Sequence, residues 1–315
     1  MSGQKPSYFH ERLFDPPIQI KILEELCQTT GWHLEVLQPR EGFLCRIWEG
    51  DTFINQQVNV CTLNSYAASQ IARDKTYTYL ILQKAGIRVP LGDYFFRSEF
   101  FLRPDYLVDY SVGKSEKEAI RFGIALGMGW TDEEAATYLD SKPDKQLRFN
   151  KDLIVKPNSL SQGKGVFRVS NPAELETAIY KVFQLPTATE YIVIVQEYVC
   201  GVEFRLIMLD GELVLCAEKD YSDDSKGVMK IKDIKVGEKY RELISKISQV
   251  MQLRYLGVDL RCASLEAPAH EAVILEVNGN PFLAYYYYLH GHQSKILGIY
   301  EKLFRKLFRE LTRTI

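Results

Sequence analysis

The segment AVILEVNGNP, residues 272–281, constrains this chain more than any other. It reads as a strand, in which side chains i and i+2 share a face, so Glu276 and Asn278 emerge together. The strand before it, YLGVDLR at 255–261, brings Asp259 beside them. Two carboxylates and an amide oxygen on adjacent strands suit a hard cation, such as magnesium carried by a nucleotide phosphate. Such groups are costly to bury without a cation. The plainer alternative has them hydrogen-bonded to lysines at a strand end.

A phosphate-holding element is legible upstream in LIVKPNSLSQGKGV, residues 153–166. An apolar strand ends in Lys156 and Pro157 and gives way to a polar loop whose Gly163 and Gly165 permit backbone conformations that other residues avoid. Such a loop can turn its N–H groups toward phosphate oxygens. Its spacing is neither that of a P-loop nor G-x-G-x-x-G, and taken alone it fits an ordinary surface hairpin.

The order of the pieces says more. ARDKTYTYLILQKAGIRVP is followed by LIVKPNSLSQGKGVFRV, IVIVQEYVCGVEFRLIMLDGEL, YLGVDLR and ILEVNGNP. This series resembles the ATP-grasp superfamily, from Ile18 to the C-terminus. The N-terminal QIKILEELCQTTGWHLEVLQPREGFLCRIWEGDTFINQQ, followed by ARDK, looks most like the carboxylate–amine ligases of the bifunctional glutathione synthetase and cyanophycin synthetase branch.

The resemblance implies an α/β (α+β) ATP-grasp fold: two α+β lobes gripping ATP in a cleft, preceded by a short N-terminal α/β lobe. The expected divisions are a substrate lobe over 1–70, a central lobe with an atypical helical segment over 71–152, and a nucleotide- and metal-binding region over 153–315. It implies that Lys75 and Lys156 lie on the nucleotide phosphates, where an ammonium offsets charge without fixed geometry. Gly163, Lys164 and Gly165 form the phosphate loop. Gln196, Glu197, Tyr198 and Val199 border the adenine through backbone groups, and Glu203 accepts from the ribose hydroxyls. For Glu197 and Glu203 the alternative is a pair of surface charges at a strand edge.

Asp259, Glu276 and Asn278 match the family's metal ligands, for Mg2+ or Mn2+. Arg205, two residues past Glu203, projects to the same side and can brace a phosphate or acyl phosphate with both arms of its guanidinium. Arg261, two residues past Asp259, is a candidate for the substrate carboxylate, with a structural salt bridge as the alternative; Lys219 is a further nucleotide candidate. The implied reaction is ATP-dependent joining of a small-molecule carboxylate to an amine, an amino acid or a peptide among them, through an acyl phosphate with release of ADP and phosphate. The other readings are a regulatory ATP-binding protein without turnover and an enzyme with a non-amine acceptor. A homo-oligomer is expected by resemblance.

Length and composition agree. The 315 residues can split into lobes around a cleft, and a formal net charge of −2 gives no basic excess for nucleic acid. The start, MSGQKPSYFHERLFDPP, lacks an apolar signal region, and no apolar run reaches the roughly 20 residues of a membrane span, so a cytoplasmic protein is expected. Cys27, Cys45, Cys61, Cys200, Cys216 and Cys262 lack zinc-ligand spacing and are expected to be small buried hydrophobes.

Periodicity places helices over 18–27, over 65–86 in two pieces, within 115–145 as a pair with the second closed by Pro143, over 171–183 and over 240–253. Hairpins are expected at Glu49-Gly50-Asp51 and Asp210-Gly211. Tyr285 to Tyr288 read as half-buried packing residues, and His290 and His292 as turn residues. The tail ILGIYEKLFRKLFRELTRTI reads as an amphipathic helix packed on its own domain through Leu303, Phe304, Leu307, Phe308 and Leu311, with a membrane surface or a partner helix as the alternative.

Overall fold

The computed structural model describes residues 18–38, 44–57, 62–97, 115–141, 147–160, 163–185, 192–220, 228–232, 236–287 and 292–314. Pro143, Cys61, Tyr288, His290 and the first 17 residues lie outside them.

Helix α1 (Ile18–Thr30) buries Ile22, Leu23 and Leu26 and stops at Gly31, whose φ of +76° suits a left-handed cap. Strands β1 (His33–Val36), β2 (Leu44–Glu49) and β3 (Thr52–Gln57) form an antiparallel sheet, with the hairpin where Glu49 faces Thr52. Helices α2 (Tyr66–Arg73) and α3 (Lys75–Lys84) are separated by one residue, Asp74. Its extended backbone breaks the helix while its carboxylate accepts from the Tyr77 N–H at 2.9 Å, capping α3. Lys75 thereby becomes the first residue of α3.

Strands β4 (Gly92–Phe96), β5 (Leu153–Pro157), β6 (Phe167–Val169) and β7 (Ile192–Glu197) build a four-stranded antiparallel sheet in the order β4-β7-β5-β6. Helices α4 (Glu116–Met128), α5 (Asp132–Asp140) and α6 (Pro172–Phe183) cover one face, where Leu153, Val155, Val193 and Val195 pack against Ile124, Leu175 and Ile179. The two-residue period leaves Ile154, Lys156, Ile194 and Gln196 on the opposite face. A division at 152/153 therefore cuts through a continuous lobe: β4 and the helical pair at 116–140 belong with β5, β6 and β7. Pattern along the chain cannot reveal this, because β4's partner is about a hundred residues away.

Strands β8 (Val202–Leu209), β9 (Glu212–Asp220), β10 (Val228–Ile231), β11 (Tyr255–Cys262) and β12 (Val273–Asn278) form a second antiparallel sheet, ordered β10-β9-β8-β11-β12. The β8–β9 turn has φ of 49° at Asp210 and 86° at Gly211, as a two-residue hairpin of matching twist requires. Helix α7 (Glu238–Met251) covers one face, its Tyr240, Ile244, Ile247 and Met251 meeting Leu206, Met208, Val258 and Leu260. Ala68 and Ala72 of α2 and Leu82 of α3 join the same core.

The other face of this sheet is divided. Its far half, with Ile207, Leu209, Leu215 and Tyr255, is buried beneath α1, α8 (Ala284–Tyr287) and α9 (Gln293–Thr314). Helix α9 buries Leu303, Phe304, Leu307 and Phe308 there and leaves Leu311 exposed. The first sheet's Cys45, Ile47 and Ile54 share this core, so β1, β2 and β3 do not pack as a unit separate from it. Among the described residues no helix is long and apolar enough to cross a membrane.

Candidate active site

The near half of the divided face is charged, and strand register explains how. Arg205 of β8 lies opposite Asp259 of β11, Glu203 opposite Arg261, Asp259 opposite Glu276 of β12, and Gly257 opposite Asn278. A register shift after Asp259 keeps Glu276 beside it before the strands continue. The sheet thus assembles Asp259, Glu276 and Asn278 on one surface. Among the described residues no three His, Cys, Asp or Glu side chains cluster as metal ligands; the third oxygen on this surface is the Asn278 amide.

Arg205 donates from Nε and Nη2 to the two Asp259 oxygens, both at 2.6 Å. Asp259 holds this guanidinium firmly protonated, against burial. Burial raises the Glu276 carboxyl above the usual carboxylate range, while Lys75, with Nζ 3.9 Å from Oε1, pulls it back. Lys75 also donates to the carbonyls of Leu160 at 2.7 Å and Asn158 at 3.2 Å. The Asn158 side chain accepts from the Thr76 N–H and donates to Asp74. The start of α3 is thereby fastened to the root of the 158–165 loop. Further along that loop, Gly163 and Gly165 have φ of +69° and +72° with exposed Lys164 between them. At Gly165 a Cβ would also press on Leu185, 2.7 Å away, so packing as well as backbone conformation selects glycine.

Lys156, buried on the uncovered face of the four-stranded sheet, donates to the Tyr79 hydroxyl at 2.7 Å. Burial pushes its pKa down to about 8, against the opposing pull of Glu276 and Glu203. Both carboxylates belong to the other sheet, so the uncovered faces of the two sheets converge on this ammonium.

The connection from β7 to β8 is tightly built. Glu197 accepts from the Leu91 N–H at 2.9 Å, its own N–H donates to Leu91 O, and the Tyr198 N–H donates to Asp152 O. The Tyr198 ring lies between the guanidiniums of Arg168, 3.9 Å from its centroid, and Arg261, 5.0 Å away. Arg261 donates to Glu203 at 2.9 Å and to Val199 O at 2.6 Å, and Lys219 donates to Glu203 at 2.9 Å. Burial pushes the Glu203 carboxyl up, but Lys219 and Arg261 outweigh it and hold it low.

Arg261, a candidate for the substrate carboxylate with a salt bridge as the alternative, is paired with Glu203, which register sets opposite it. In the segment expected to border the adenine through backbone groups, the Glu197 and Tyr198 N–H groups donate to Leu91 O and Asp152 O. Gln196, by contrast, is buried on the cleft face, with Oε1 3.3 Å from the Tyr79 hydroxyl. Sequence reasoning missed Tyr79 and Asn158; Tyr79 stands four residues after Lys75, hence on the same helical face, and that spacing was the available signal. His292 sits at the start of α9, its carbonyl accepting from the Ile296 N–H. The described cysteines carry no disulfide, and of these only Cys200, in the β7–β8 connection, is exposed.

The description of a RimK-like ATP-grasp domain matches residues 126–293, a span that takes in every candidate site residue except Lys75. The glutathione biosynthesis bifunctional protein GshAB of Streptococcus thermophilus (strain CNRZ 1066) is 27% identical over 182 residues, 58% of this chain and 19% of that protein. GshAB of Enterococcus faecalis (strain ATCC 700802 / V583) is 23% identical over 220 residues, 65% of this chain and 23% of that protein. The chain spans about a fifth of the length of these curated relatives. Among solved structures, a D-alanine–D-alanine ligase from Bacillus anthracis complexed with ATP has a TM-score of 0.49 and 19% identity, covering 78% of this chain and 71% of that one. A bifunctional glutathione synthetase from Pasteurella multocida has a TM-score of 0.46 and 18% identity, covering 85% and 40%. With more than half of its length matched by that domain, the chain belongs to the RimK-like ATP-grasp family.

Proposed function

We propose that this chain is an ATP-dependent carboxylate–amine ligase that forms ADP and phosphate. The observation that carries the reading is the convergence, between two sheets, of buried Lys156 from one side with Arg205, Asp259 and Glu276 from the other, and Lys75 reaching in from α3. The donor set fits magnesium: two carboxylates and an amide oxygen on paired strands, all hard ligands. When bound, magnesium would neutralise phosphate oxygens as charge spreads during phosphoryl transfer.

The chain's own residues account for the rest. Lys75 and Lys156 place two ammonium groups where phosphates would lie, and Lys156 has donors beyond the one it spends on Tyr79. Arg205, fixed by Asp259 through two of its five N–H donors, keeps the other three available to a developing anion. The loop carrying Gly163, Lys164 and Gly165 supplies cover that would exclude water from a hydrolysable acyl phosphate. In that sequence a substrate carboxylate oxygen attacks the γ-phosphorus and ADP leaves; the amine then attacks the acyl carbon and phosphate leaves. Glu203 retains lone pairs for ribose beyond those used by Lys219 and Arg261. The substrates are read as small carboxylates and amines, amino acids and peptides among them, by analogy with relatives named for glutathione biosynthesis.

The test is phosphate release from ATP and magnesium across a panel of amino acids, dipeptides and small carboxylic acids. Release should require a carboxylate and an amine together, stop with a chelator, and fall about a hundredfold or more in Lys156→Ala and Glu276→Ala. Release that ignores both substitutions would overturn the reading.

A further inference from the structure

Tyr79 is part of neither the metal surface nor the loop, yet it stands where the two sheets meet. Its hydroxyl accepts from Lys156 Nζ at 2.7 Å and lies 2.8 Å from Leu275 O, the residue beside Glu276, toward which its proton is directed. With that proton committed, the oxygen lone pairs face the ammonium. The ring contributes too, its centroid being 5.2 Å from Nζ, within the range where a cation is drawn to an aromatic face. Lys156 belongs to the four-stranded sheet, Leu275 to the five-stranded sheet, and Tyr79 to α3, whose first residue is Lys75.

We propose that Tyr79 is a positioning residue for the nucleotide, holding the Lys156 ammonium at a fixed point in the cleft and tying that point to the strand that carries Glu276. The argument is one of satisfiability. An ammonium has three donors and no acceptor, and a buried one lacking partners is expensive. One donor on Tyr79 aims the other two into the space between the sheets. Without the hydroxyl the flexible lysine stem has no acceptor at that point, and each binding event must pay to order it. A cavity of about 60 Å³ lies on the α3–β4 side, lined by Tyr79, Leu80, Gly92, Tyr94 and Gln196 among others. Removing the whole ring would open this space to the ammonium, so the informative change is loss of the oxygen alone.

The inference rests on the nucleotide reading above, and a double-mutant cycle separates the two. Binding of magnesium and a non-hydrolysable ATP analogue, AMPPNP, is measured by calorimetry for wild type, Tyr79→Phe, Lys156→Met and the double variant. Tyr79→Phe should bind about tenfold more weakly, the scale of a hydrogen bond to a charged group, with no further loss in the Lys156→Met background. The KM for ATP should rise while that for the acceptor stays unchanged. Equal losses in both backgrounds, or none in either, overturn the proposal while leaving the nucleotide reading intact. Absence of binding by wild type overturns both. Should Tyr79→Phe fail to fold, 3-fluorotyrosine at this position keeps the packing and weakens the acceptor, and a smaller loss with the same dependence on Lys156 is expected.

Discussion

Asn64 offers a prediction whose size can be worked from the structure. Its amide is buried between the segment leading into α2 and the far ends of β11 and β12. Nδ2 donates to Tyr255 O at 2.6 Å and to Gly279 O, while Oδ1 accepts from the Arg254 N–H at 2.8 Å and the Tyr255 N–H at 3.0 Å. Both donors and both acceptor sites are used, and all four partners are backbone groups. Asn64→Ala removes the partners without removing the groups they satisfied. At a net of about 1 kcal/mol per hydrogen bond, and more for each group left unpaired, the cost is about 3–5 kcal/mol. With an unfolding entropy of about 2.1 cal/mol/K per residue, that lowers the melting temperature by roughly 5–8 °C. Differential scanning calorimetry reads the shift. Asn64→Asp should be at least as damaging at neutral pH, since it keeps two acceptors but sets a carboxylate against two carbonyls. Because Gly279 follows Asn278, the magnesium concentration for half-maximal phosphate release should also rise. A fall under about 1 °C in Asn64→Ala would refute the reasoning, showing that water replaces the amide without cost.

Three further outcomes are expected. Arg205→Lys keeps the charge but cannot span both Asp259 oxygens, so phosphate release should fall at least about tenfold with a smaller loss of thermal stability than in Arg205→Ala; unchanged turnover would remove the two-armed contact from the mechanism. The Lys156 pKa of about 8 lies below that of an unfolded lysine, so between pH 8 and 10.5 the unfolded chain holds the extra proton and this group's contribution to stability grows as pH rises. Bound phosphate favours the ammonium, so AMPPNP affinity should fall as pH rises through about 8, with proton uptake visible as buffer-dependent calorimetric heats; a flat profile over pH 7–9.5 would sink this account. Gly201→Ala forces a side chain onto a φ of +117° and sets its Cβ 2.7 Å from Cys262 O, so the denaturant midpoint should drop by the equivalent of at least about 1–3 kcal/mol, and no drop would mean that the connection relaxes freely.

How much was legible beforehand follows from what each signal depends on. The helix over 65–86 in two pieces, the turn at Asp210-Gly211 and the helical pair at 116–140 rest on local backbone preference, so a few adjacent residues carried them. The shared face of Glu276 and Asn278 needed only the two-residue period of a strand. The motif order placed Lys156 and Asp259 among the candidates without saying what surrounds them. Pairing across long separations was invisible. That β4 belongs with β5, β6 and β7, that Arg261 falls opposite Glu203, and that Tyr79 stands between Lys156 and Leu275 are consequences of register and of which faces are turned together. Composition and spacing therefore determined the elements, the family resemblance and the inventory of charged groups. The tertiary structure alone decided which charge neutralises which, because a side chain's partner depends on distances that the linear order of residues does not encode.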